Sequence, residues 1–220
     1  MKKWILLLVC ACCLSCNVSS QITKQARNNE SSTCDSLILQ EFAKISDPSQ
    51  NVNLDVAVAD MEQISKMYPD AWLPYYYQAY LGITDCLMNR QSKDAEQKAT
   101  QYLPVIDNAS KQKGADQSEI HALKAYYYYI LIALNPQANG QKYYANVLRE
   151  CGIAEKFNLE NPRAKTIRFV FTQQMGKFMG ATKDVNVVKE VNYLKQMFEK
   201  EDASSVNPTW GKEVLGFLKY

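Results

Sequence analysis

Apolar residues recur at intervals of three and four along most of this chain, and each recurrence restarts at residues suited to begin a helix. Leu37, Leu39, Phe42 and Ile45 are followed, after Asp47-Pro48, by Leu54, Val58, Met61, Ile64 and Met67. That spacing puts one apolar stripe on each of two consecutive helices. Gly and Pro number only 8 and 7, so few positions interrupt a helix. An all-α fold is the expectation, and 220 residues at 47% hydrophobic content are enough for one ordinary core.

The later helices are punctuated in the same way. Tyr68-Pro69-Asp70 ends the first pair, with Asp70 expected to cap the next helix, and Trp72, Tyr75, Ala79, Leu81 and Ile83 carry its face. Pro74 fits because the first turn needs no intrahelical donor. Ser92, Asp94 and Glu96 open a partner helix that Pro104 is expected to bend. Asp116-Gln117-Ser118-Glu119 has the form of a capping box, in which Glu119 reaches back to the first amide. Asn135-Pro136 and Asn139-Gly140 mark a turn, and Asn161-Pro162 starts another helix that breaks between Gly176 and Gly180. Units therefore begin near Asp35, Asp70, Asp116 and Asn161, at spacings of 35, 46 and 45 residues. Stacked helix pairs have periods in this range.

NVLRECGIAEKFNLENPRA, from Asn146, resembles the end of one tetratricopeptide repeat and the start of the next, with Ala154 at the tight inter-helix position. YPDAWLPYYYQAYLGI, from Tyr68, resembles a second junction, although Leu159 stands where the repeat pattern prefers proline. With the closing PTWGKE, from Pro208, the chain resembles secreted tetratricopeptide-like proteins of Gram-negative envelopes. The resemblance implies stacked antiparallel helix pairs in a right-handed α-solenoid of about four units. It also implies a short C-terminal capping helix and a concave face that contacts a protein or peptide client.

Residues 1–20 read as a signal peptide: basic Lys2 and Lys3, an apolar run from Trp4 to Val9 and beyond, then small residues. Val18-Ser19-Ser20 would release a chain beginning at Gln21. Leu14-Ser15-Cys16 resembles a lipobox, with Cys13 in place of the usual leucine, and would make Cys16 the acylated anchor of an outer-membrane lipoprotein. Residues 21–34 form a polar leader and 35–220 the helical domain. Removing Lys2 and Lys3 from 25 basic residues leaves 23, equal to the 23 acidic ones, so no nucleic-acid footprint is expected. Of seven cysteines only Cys34, Cys86 and Cys151 lie clear of the signal region; Cys86 and Cys151 are expected as core thiols.

No zinc, phosphate-loop or nucleophile-elbow motif is present. The single histidine, His121, has no sequence neighbour that would make it a base, and no metal, cofactor or catalytic residue is assigned. The short basic cluster of Arg163, Lys165 and Arg168 is balanced by Glu155 and Glu160. Tyr126 to Tyr129 cannot all share a helical face, so Tyr126 and Tyr129 are assigned to packing with Ala122, Ala125 and Ala133. Tyr76 and Tyr127 fall off the apolar stripes and, with Arg168, are the expected partner-binding anchors. The expected function is a non-enzymatic scaffold or adaptor in the periplasm or secreted. The alternatives are a lipoprotein subunit of an envelope assembly or uptake complex and a helical envelope enzyme.

Overall fold

The computed structural model describes residues 33–46, 53–178, 180, 186–202 and 204–218. The segment expected to be a signal peptide, with Cys16, and the expected leader up to residue 32 lie outside the described residues. Helices are α1 (33–46), α2 (Leu54–Met67), α3 (Trp72–Met88), α4 (Ala95–Thr100), α5 (Tyr102–Lys111), α6 (Gln117–Leu134), α7 (Pro136–Phe157), α8 (Pro162–Phe178) and α9 (Val187–Phe198). A 3-10 helix spans Lys212–Phe217. The fold of the described residues is all-α, and none of their helices is long and apolar enough to cross a membrane.

Helix starts follow the chemistry of the side chains before them. Asn53 accepts from the Asp55 amide, Asp116 from those of Ser118 and Glu119, Asn161 from that of Ala164, and Asn186 from that of Lys189. Each bond satisfies a first-turn donor that has no intrahelical acceptor. Several expected boundaries differ. Asp70 does not cap α3, which starts after Ala71 with no side-chain cap. The proline effect at Pro104 is a break rather than a bend: its missing N–H and its ring are incompatible with the Thr100 carbonyl, and the chain divides into α4 and α5 at Gln101. Asn139 and Gly140 lie inside α7. Asn139 is buried and donates to the Leu131 carbonyl at 2.8 Å, closing the end of α6, so Asn135 alone makes the turn. The break expected between Gly176 and Gly180 does agree with the structure, α8 ending at Phe178. Thr33 and Cys34, assigned to the leader, belong to α1, and Cys34 is buried in the core.

The pairings give the direction of each helix. Across α6 and α7, Ser118 meets Ala154, His121 meets Glu150, and Leu131 meets Asn139, so one number rises as the other falls: the helices are antiparallel. Between α3 and α6, Tyr76 meets Glu119 and Tyr80 meets Tyr126; between α6 and α8, Glu119 meets Arg163 and Tyr129 meets Gln174. These pairs rise together, so α3, α6 and α8 lie side by side and parallel. Helix α6 is central, contacting α3, α4, α5, α7 and α8. Its Ile120, Leu123, Ile130 and Leu131 are all essentially inaccessible, and Tyr126, Tyr127 and Tyr129 are buried with them, whereas Ala133 is exposed. Cys34, Cys86 and Cys151 are buried free thiols, the behaviour of small apolar side chains.

Candidate functional site

The tyrosines of α3 and α6 do meet an extended segment, and it is the chain's own C-terminus. Trp210 stacks on Tyr80 at 4.8 Å, lies 5.0 Å from Tyr126, and donates through Nε1 to the Tyr76 hydroxyl at 2.8 Å. The Tyr77 hydroxyl donates to the Val206 carbonyl and that of Tyr80 to Glu213. Tyr129 bonds Gln174, which in turn donates to the Phe217 carbonyl. Tyrosine suits this position because its ring packs while its hydroxyl takes a polar partner.

Two of the three expected anchors are therefore unavailable to a client. Tyr76 is 0% exposed and lies between Glu119 and Trp210. Tyr127 is 3% exposed and packs edge-on against Tyr128. Both lie off the main apolar stripe yet are buried, because α3 and α6 are covered on more sides than one. Arg168 is partly exposed but grips Glu155 on α7 through Nε at 2.9 Å and Nη2 at 3.0 Å. The three residues engage different neighbours and form no common strip.

Beneath the C-terminal segment lies a buried charge network that the sequence pattern missed. Glu119 accepts from Arg163 Nε at 2.6 Å and Nη2 at 2.9 Å, from Asn161 Nδ2 at 2.7 Å and from the Tyr76 hydroxyl at 3.2 Å. The reach-back expected of a capping-box Glu119 is thus replaced by tertiary bonds. Burial pushes the Glu119 carboxyl up, and the Arg163 guanidinium opposes that shift. Arg163 also donates to Glu201 and to the Trp210 carbonyl. A pocket of ≈ 290 Å³ opens beside this network, walled by Trp72, Ser205, Asn207 and Thr209. A second, of ≈ 270 Å³, is lined by Asp55, Asp85, Asp94 and Lys98. Both are small, and charged or polar residues make up most of each lining.

The other chemically distinctive arrangement is on the α6–α7 surface. His121 Nδ1 lies 2.6 Å from Glu150 Oε2, while Arg149 donates to Oε1 through Nε at 3.2 Å and Nη2 at 2.9 Å. Burial raises the Glu150 carboxyl, but the bonds from His121 and Arg149 outweigh it and hold the group below its ordinary value. An ionised carboxylate only accepts, so Nδ1 carries the shared proton. Among the described residues Nε2 has no hydrogen-bond partner, and it is not one of their buried unpartnered atoms. The His121 ring lies within 9° of the plane of Phe157, at 6.0 Å. Phe157, expected to line the return helix, is 62% exposed, and Leu159 in the following turn is 69% exposed. Among the described residues, no group of three or more His, Cys, Asp or Glu side chains is placed to hold a bare metal ion.

No family model matches the chain, and no curated protein matches it. Among solved structures, it is similar to the HusA haemophore from Porphyromonas gingivalis, with a TM-score of 0.66 over 84% of this chain and 90% of that one. The two sequences are 22% identical over the match, so the likeness is one of fold.

Proposed function

We propose that this chain is a non-enzymatic ligand-capture protein of the bacterial envelope and that its ligand is an iron porphyrin. The observation that carries this reading is the shared fold, over most of both chains, with a haemophore. The exposed Phe157 and Leu159 offer apolar area for a ligand held against the surface. The envelope location rests on the signal-peptide reading of residues 1–20, with release before Gln21 or anchoring through Cys16 as its two forms. Tetratricopeptide-like stacking of the helix pairs belongs to the same proposal and rests on the parallel run of α3, α6 and α8. Titration of the purified protein into haemin, followed by absorbance, tests it. We expect a saturable shift of the Soret band at one haem per chain; spectra that are the simple sum of free haemin and protein would overturn it. A protein client is the second reading, supported by the exposed Phe178, Val188 and Tyr193 on α8 and α9.

A further inference from the structure

We infer that His121 is the iron ligand of this protein, with Glu150 as its positioning residue and Phe157 as the apolar ground beside it. The inference rests on the iron-porphyrin reading and assigns it a site. A lone imidazole cannot hold a bare metal ion against water, and no second ligand cluster is present among the described residues. Iron in a porphyrin already has four nitrogens, so a single imidazole completes an axial position. His121 meets the requirements of such a ligand. Its Nδ1 proton is held by Glu150, the carboxylate–histidine arrangement that fixes the tautomer and orients the ring. Glu150 is itself fixed by Arg149 and is 5% exposed. Nε2 is left without a hydrogen-bond partner among the described residues.

The surroundings suit the rest of the ligand. An iron approached along the Nε2 axis sets the macrocycle roughly perpendicular to the imidazole. Phe157, within 9° of the imidazole plane, would then meet the macrocycle with its edge, the favoured arrangement for two aromatic systems at an angle. Binding is an exchange at iron: Nε2 gives its lone pair to Fe(III), a weakly held axial water or chloride leaves, and Nδ1 keeps its proton toward Glu150. No electron is transferred. The alternative role for His121, as a general base, lacks a nucleophile: no hydroxyl or thiol among the described residues is bonded to Nε2.

The test compares haemin with iron-free protoporphyrin IX in wild type, His121→Ala and Glu150→Gln, with far-ultraviolet circular dichroism as the folding check. We expect wild type to bind haemin at least tenfold more tightly than protoporphyrin IX, with the electron paramagnetic resonance signature of nitrogen ligation. In H121A that signature is lost, haemin affinity falls to the protoporphyrin level, and added imidazole restores the signature. In E150Q ligation persists with affinity roughly 10–100-fold weaker, the usual effect of removing an outer partner of a ligating histidine. If H121A does not fold, His121→Gln carries the same comparison. Haemin binding and spectrum unchanged in the histidine variant would overturn this assignment while leaving the porphyrin reading intact. A wild type that binds neither porphyrin would overturn both.

Discussion

Arg163 shows how far a single side chain can depart from what its neighbours in sequence suggest. Between Asn161-Pro162 and Lys165 it reads as one of a solvated basic cluster, yet it is 3% exposed and bonds Glu119, 44 residues away, and Glu201, 38 residues away. Removing one partner of a buried ion pair leaves the other charge desolvated and unpaired, at a cost of about 3–5 kcal/mol, whereas replacing both by apolar groups is often neutral. We therefore expect Arg163→Met to lose stability in that range by guanidinium denaturation. Glu119→Leu combined with Arg163→Met should lose clearly less than the two single losses added. Additive losses would mean that the two groups act independently. The network was illegible because helical period assigns a residue to a face without saying which charged residue another helix brings to it. His121 and Glu150 were illegible for the same reason, being 29 residues apart on facing helices.

At the scale of the element, helix existence was legible and helix termination less so. Apolar periodicity and the caps at Asp116 and Asn161 located real starts. Asn139 and Gly140 read as stops but are helical, because glycine inside a helix costs only about 1 kcal/mol relative to alanine and packing can offset it, whereas α8 does end at Phe178, within the break expected between Gly176 and Gly180. Gly82 is the case where packing demands glycine: the Tyr102 ring of α5 occupies the place of a side chain, with Cζ 2.0 Å from where a Cβ would stand. Substitution must displace that ring. We expect Gly82→Ala to cost about 1–3 kcal/mol, the usual range for overpacking. In a Tyr102→Ala background the clash is gone, and the same substitution should become neutral or stabilising through helix propensity alone. Thermal melts of the four proteins in this cycle check it; equal effects of Gly82→Ala in both backgrounds would show that the Tyr102 contact does not set the cost.

For the whole molecule, the expectation of helix pairs with a closing C-terminal element was close in outline and wrong in its consequence. The final segment does not simply cap one end: Val206, Trp210 and Glu213 lie along the tyrosines of α3 and α6, the face assigned to a client. Sequence could place aromatic residues on the first helices but could not reveal that the chain supplies their occupant. That shifts the search for a ligand to the outer α6–α7 surface, where the proposed iron porphyrin would bind. Native mass spectrometry of the purified protein mixed with an equimolar amount of haemin tests this most directly. The account predicts one dominant species heavier by a single haem, persisting at collision energies that strip haem from a control protein of similar size. A ladder of zero, one, two and more haems with the same stability as on the control would contradict it.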